Sequence, residues 1–218
     1  MQRWATFDCY GTLIDWNGGI RAELARVFGA DRAGDLLARY HEVEPQLEQD
    51  GKLSYREVLT EAMRSLGAPG GVEHSLADSL PGWEAFPEVR RSLETLRGHG
   101  WKLAILSNTD DEFIAASQVQ IGVPFDEVVV AQEIGSYKPA HRHWDEFFAR
   151  TRASRDAHVH VAASLFHDIA PVNELGLRSV WINRLGEQAR DGARPDRELP
   201  DLGALPETLD ELLPAALP

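Results

Sequence analysis

A chain of 218 residues that is 43% hydrophobic and 26% charged has the make-up of a globular protein with one substantial core, or one core and an inserted satellite. Lysine and arginine number 22 against 35 aspartates and glutamates, a net charge of −13, which disfavours nucleic acid or an anionic membrane as partner but allows a small anionic substrate in a locally cationic pocket. The one cysteine, Cys9, excludes an internal disulfide. With no signal-peptide pattern and no apolar run of membrane-spanning length, the expected location is the cytoplasm.

Residues 3–8 read as a strand ending at Asp8, and Gly11 breaks the pattern into a tight loop that lifts Tyr10 and Thr12 over the strand's carboxyl end. From Ile20 the period turns helical, with Leu24, Val27 and Phe28 on one face. A second helix is expected over 31–49, with Leu36, Tyr40, Val43 and Leu47 inward and Pro45 interrupting its ladder. Ser54 and Glu57 form a capping box that starts a third helix, and a short helix follows to Leu80. No strand is visible from Asp15 to Gly82. After Pro87 comes a helix over 88–97, and then strands alternate with helices. The strands fall at 102–107, 125–130, 158–163 and 179–182, and the helices begin near Asp110 (a second capping box, Thr109 to Glu112), 140 and 169. Past Arg184 the chain is rich in proline and charge, with a last short helix over 206–213.

Strands alternating with helices require a parallel sheet with right-handed crossovers. The expected fold is α/β, a doubly wound parallel-sheet, Rossmann-like core with an inserted all-helical cap domain. The core takes residues 1–15 and 83–218, and the cap takes 16–82. An insertion directly after the first strand hangs over the carboxyl edge of the sheet, where a lid is useful.

That edge gathers the candidate residues. Asp8 is a nucleophile, a metal ligand or a buried structural acid. Thr12 can bond its carboxylate. Ser107 and Asn108 end the second strand with a hydroxyl and an amide suited to orienting a carboxylate or anion. Lys138 beside Asp8 would hold the acid ionised, or it is a solvated surface lysine. Asp168 is a helix cap, a catalytic partner, or both, and His167 is a base or a packing residue. In the cap, Arg39 shares a stripe with Leu36 and Val43, so it either meets an anion above Asp8 or snorkels out.

Phe7-Asp8-Cys9-Tyr10-Gly11-Thr12-Leu13, Leu106-Ser107-Asn108, Tyr137-Lys138-Pro139 and Trp181-Ile182-Asn183-Arg184 together resemble the haloacid dehalogenase superfamily over nearly the whole chain. Phosphatases of that superfamily carry a second Asp two residues after the nucleophile. Tyr10 stands there instead, and the Tyr-Gly-Thr-Leu form is similar to the type II, L-specific 2-haloacid dehalogenases, which use no metal or other cofactor. The resemblance implies SN2 attack by Asp8 on the carbon bearing the halogen of a small anionic 2-halo acid, followed by hydrolysis of the aspartyl ester. It implies that Arg39 receives halide with help from Asn108, and that Ser107 binds the substrate carboxylate. Lys138 would stabilise Asp8, Asp168 would pair with Lys138 and help position water, and Tyr10 would wall the pocket. Relatives are often dimers, so a homodimer is one expected assembly, although no stripe in the sequence marks the interface.

The family's last motif commonly has a Ser and an Asn shortly before its Asp. Aligned on Asp168, those places hold Ala163 and Leu165, with Ser164 between them. The water-positioning amide is missing, so His167 or Ser164 takes part in hydrolysis, or the substrate differs. The competing functions are a Mg-dependent phosphatase-like hydrolase, attack on another activated carbon such as that of a small cyclic amino acid, and a non-catalytic anion-binding relative.

Overall fold

The computed structural model describes residues 2–49, 51–189 and 192–215. Residues 1 and 216–218, the outer ends of the expected core, lie outside them. Among the described residues, β1 (Trp4–Phe7), β2 (Lys102–Ser107), β3 (Glu127–Val130), β4 (His158–Ala162), β5 (Arg178–Ile182) and β6 (Arg197–Leu199) pair in parallel in the order β3-β2-β1-β4-β5-β6. The strand order reverses beside β1, and in sheets of this kind ligands bind in the crevice at that reversal.

The central strands are mostly apolar and almost wholly buried because both faces are covered, with Thr6, His158 and His160 as buried polar positions. Leu103 and Ile105 of β2 join Phe7 and Val161 under Leu93, Leu96 and Phe113. The alternate residues, Ala104 and Leu106, pack against Trp144 and Phe147 on the opposite face. The covering helices are α5 (Val89–Gly98), α6 (Asp111–Ile121), α8 (Arg142–Thr151), α9 (Ala170–Glu174) and α10 (Leu205–Leu212), with a single-turn α7 at Ala131–Ile134. Strand β6 was not expected. Arg197-Glu198-Leu199 has no apolar run because it forms the exposed edge, held by its ladder to β5.

Between β1 and α5 the insertion is helical: α1 (Trp16–Phe28), α2 (Ala30–Glu48), α3 (Tyr55–Ser65) and α4 (Ser75–Ser79), then a 3-10 turn over Leu80–Gly82. Helix α2 runs through Pro45 without a break. Helix α3 starts with the full capping box of Ser54 and Glu57. The second capping box does not form. Asp110 precedes α6 but makes no cap bond to it. Its carboxylate instead accepts from Tyr55 N at 2.8 Å and Arg56 N at 2.9 Å, the two first N–H groups of α3. A helix N-terminus offers free donors and a positive dipole end, and α3 presents its own to Asp110.

Candidate active site

Asp8 follows β1 directly, and its N–H donates to Val161 O at 3.0 Å, extending the β1–β4 pairing by one residue. The next loop turns at Gly11, whose φ of +86° lies in the left-handed region that glycine enters freely. This brings Thr12 back over Asp8. Thr12 Oγ1 donates to Asp8 Oδ2 at 2.7 Å and accepts from Ala163 N at 2.9 Å. Arg184 locks the loop, its Nη2 donating to Thr12 O at 2.8 Å and to Glu88 Oε1 at 2.7 Å.

Lys138 Nζ spends three donors on Asp8 Oδ1 at 2.9 Å, Asp168 Oδ1 at 2.7 Å and Leu106 O at 2.9 Å. It is 2% exposed. Burial alone would lower its pKa, but Asp168 and Asp8 hold the ammonium above its ordinary range. For Asp168, burial pushes the carboxyl up, and Lys138 and His160 outweigh it, leaving the group well below the usual carboxylate range. Asp168 does not cap α9. Ser164 accepts from His167 N, and a π-helical turn over Leu165–Ile169 begins there, earlier than the helix expected at 169. This turn carries Asp168 under Lys138.

Behind Asp168 lies a relay that the sequence reading took for plain strand. His160 Nε2 is 2.9 Å from Asp168 Oδ1, and its Nδ1 is 2.7 Å from Thr6 Oγ1, which lies 2.8 Å from His158 Nε2. One proton assignment satisfies every link: His158 N–H donates to Thr6, Thr6 O–H to His160, and His160 N–H to Asp168. The sequence signal was the period-two pair His158 and His160, which puts both rings on one face of β4.

Above Asp8 lies a cavity of about 240 Å³. The core wall is Asp8, Tyr10, Ser107, Lys138 and Asp168, and Asn108, Ser164 and His167 close one side. The cap wall is Trp16, His41, Glu44, Glu48 and Tyr55, with Pro45. Burial lowers the pKa of His167 and of His41, keeping both rings neutral near pH 7. Tyr10 stacks on Tyr55 with 6.0 Å between ring centres, and its hydroxyl meets Ser117 Oγ at 3.0 Å.

The structure thus brings together Asp8, Tyr10, Thr12, Ser107, Asn108, Lys138, Ser164, His167 and Asp168. It does not bring in Arg39. The buried positions of α2 are Ala33, Leu36, Tyr40, Glu44 and Glu48, and Arg39 lies one residue out of phase, exposed and outside the cavity wall. Asn108 lines the wall, but its amide is spent. Nδ2 donates to Lys138 O at 3.0 Å and Glu48 Oε2 at 3.2 Å, and Oδ1 accepts from Lys138 N at 2.6 Å. It is a brace for Lys138 and Glu48, with no amide hydrogen left for a halide. Sequence reading missed Glu44 and Glu48, whose i, i+4 spacing matched the inward phase but whose charge argued for solvent.

No group of three or more His, Cys, Asp or Glu side chains among the described residues is placed to hold a metal ion. Tyr10 offers no carboxylate, and the ammonium of Lys138 already joins Asp8 to Asp168. No described helix is long and apolar enough to cross a membrane.

A family model described as a haloacid dehalogenase-like hydrolase matches residues 3–176. The chain belongs to that family. This haloacid dehalogenase-like hydrolase is 26% identical to (S)-2-haloacid dehalogenase 4A of Burkholderia cepacia, over 97% of the chain and 94% of the relative. It is 27% identical to (S)-2-haloacid dehalogenase 1 of a Pseudomonas species, over 95% and 96%. Its fold matches the L-2-haloacid dehalogenase of Xanthobacter autotrophicus, solved with chloropropionic acid covalently bound. That comparison gives a TM-score of 0.83 at 19% identity, over 96% of this chain and 98% of that one.

Proposed function

We propose that Asp8 displaces halide from carbon 2 of a small 2-haloalkanoic acid without a metal ion, and that water then releases the hydroxy acid from an aspartyl ester. The observation that carries this reading is the setting of Asp8. It is a carboxylate on the cavity wall, with Lys138 on one oxygen and Thr12 on the other, and with a phenol two residues on where a phosphatase would need an acid. The covalent chloropropionic acid of the Xanthobacter protein and the names of the curated relatives support the same chemistry.

A carboxylate nucleophile divides one hard displacement into two easier steps. An Asp8 oxygen forms the new C–O bond while the carbon–halogen bond breaks, and halide leaves with the bonding pair. Water then adds to the carboxyl carbon of the ester, and collapse expels the product oxygen and restores Asp8. Lys138, 2.9 Å from Oδ1, orients Asp8 for attack and stabilises the oxyanion of the second step. Asp168 holds Lys138 in place. His167, neutral and 3.2 Å from Ser164 Oγ, takes the proton of the water and returns one to the departing product oxygen. Residues 16–82 act as the lid on a core of 1–15 and 83–218.

The test is halide release from 2-chloropropionate, 2-bromopropionate and fluoroacetate, first with EDTA and then with Mg²⁺. A single turnover in ¹⁸O water, read by mass spectrometry of the Asp8 peptide, follows the ester. Release that ignores EDTA, label in Asp8 and an inactive Asp8→Asn variant are the expected results. Phosphate-ester hydrolysis appearing only with Mg²⁺ would overturn the reading.

A further inference from the structure

The cap wall of the cavity carries two carboxylates and no arginine or lysine. Glu44 and Glu48 are four residues apart on one face of α2, and both are buried, at 6% exposure each. Their anchors are neutral. Tyr55 and Tyr40 donate to Glu44 Oε1 at 3.2 and 3.5 Å, and Asn108 donates to Glu48 Oε2 at 3.2 Å. Among the described residues the nearest imidazole is that of His167, whose Nε2 lies 3.8 Å from Glu48 Oε2 and is kept neutral by burial. Lys138, the cation of the opposite wall, is already divided between Asp8 and Asp168. Buried acids without a cation are costly to ionise. Burial pushes Glu44 up to about 7, with Asp8 adding to the rise, and pushes Glu48 well above the usual carboxylate range, with Glu44 and Asp8 adding and Asn108 and Lys138 only partly offsetting it.

A second group in the same cavity also lacks a partner. Ser107 Oγ is buried, with Ser107 1% exposed, lines the wall beside Asp8, and makes no hydrogen bond in the protein. A substrate carboxylate would give that hydroxyl an acceptor. A volume near 240 Å³ holds the equivalent of about eight waters at ~30 Å³ each, more than a three-carbon acid fills.

We propose that Glu44 and Glu48 form a subsite for an ammonium group, so that the preferred substrate is a 2-halo acid whose chain ends in an amine. The reacting end rests on the Asp8 reading above, and the ammonium end rests on the cap geometry alone. The carboxylate meets Ser107, Asp8 attacks the carbon bearing the halogen, and halide leaves with its electron pair. The ammonium, unreacted, supplies the charge that Glu44 and Glu48 lack. Neither a free Asn108 amide nor Arg39 is present to draw in an anion on the cap side, which fits a lid built for a cation.

The test separates binding from chemistry. Calorimetry at pH 7 compares 3-aminopropanoate, 4-aminobutanoate, 5-aminopentanoate and 6-aminohexanoate with the alkanoates of the same length. At one or more lengths the amino acid should bind at least about tenfold tighter, since a charge-assisted hydrogen bond is worth that much. Binding should also release protons, because a cation draws Glu44 and Glu48 back to their ionised forms. Glu44→Gln with Glu48→Gln should abolish the preference and leave alkanoate binding no weaker, with a melting curve confirming the fold. Equal affinities throughout, or a preference that survives the double substitution, would overturn the subsite. Halide release is then measured from 5-amino-2-chloropentanoate and 6-amino-2-chlorohexanoate against their unaminated counterparts. An intact binding preference with no halide and no Asp8 adduct would keep the subsite and remove the Asp8 displacement beneath it.

Discussion

Lys138 sets the charge of the site, because a single ammonium answers two buried carboxylates at 2.9 and 2.7 Å. Lys138→Met would leave Asp8 and Asp168 facing each other with nothing between them. Removing one side of a buried charge cluster costs about 3–5 kcal/mol, so denaturant titration should show a loss of that size alongside lost turnover. Arg39 behaves oppositely. It is exposed on α2 and does not line the cavity, so Arg39→Ala should leave kcat/KM for halide release within about twofold. A tenfold loss would mean that α2 rotates to bring it in. These two residues mark how far single positions are legible. Asp8 directly follows β1, and Thr12, Lys138 and Asp168 lie in the connections after β1, β3 and β4, where the chain order brings them to one edge of the sheet. Arg39 and Glu44 stand mid-helix, where one residue of phase decides in or out. Leu36 and Val43 suggested a stripe through Arg39, whereas Ala33, Leu36, Tyr40, Glu44 and Glu48 define the true one. His160 escaped notice because a histidine alternating with valine reads as ordinary strand.

At the scale of elements, the helical insertion is tied to the core through the start of α3. Ser54 caps Glu57 N, and Asp110 from the core takes Tyr55 N and Arg56 N. Arg56 adds ion pairs to Glu112 at 2.7 Å and Asp78 at 2.8 Å, both exposed and so worth little. Tyr137 Oη donates to Leu53 O at 2.9 Å, beside the same turn. Asp110 is 2% exposed, so Asp110→Ala would strand two donors out of water. An unsatisfied buried donor costs about 1–3 kcal/mol. The expected loss in chemical denaturation is about 2 kcal/mol or more, with Asp110→Asn, which keeps one acceptor, losing less. Equal losses from both substitutions would point to packing in place of capping. The sequence displayed Asp110 as part of a capping box for its own helix. Local spacing shows that an acid can cap, and only the tertiary fold shows which helix it reaches.

For the whole molecule, the apolar strands and their alternation with helices were enough to read a parallel doubly wound sheet with a helical insertion after β1. The exposed edge strand β6 was not legible, because its pairing needs no apolar pattern. The balance of buried charge was not legible either, since it depends on two acids of α2 meeting Asp8 across a cavity. That balance predicts how stability follows pH. Glu44 and Glu48 are raised in the folded chain, so below about pH 4.5 both are protonated, folded or unfolded, and cost nothing. As pH rises toward 7 the unfolded chain ionises them while the fold resists, and stability is lost over that window. The buried histidines run the other way. Burial pushes His143 down to about 3 and His158 well below the ordinary imidazole range, so both favour the fold as pH rises toward 6.5. The wild-type curve mixes the two trends, but a comparison with the Glu44→Gln, Glu48→Gln protein cancels the histidines. The variant's Tm minus that of the wild type should therefore be smallest near pH 4.5 and grow up to pH 8. The growth should be at least 2–4 °C, about what 1 kcal/mol produces in a chain of this size. Adding the tightest-binding ω-amino acid at pH 8 should close that gap by stabilising the wild type alone, whereas a difference that stays flat with pH would show two carboxylates solvated and ionised in the fold.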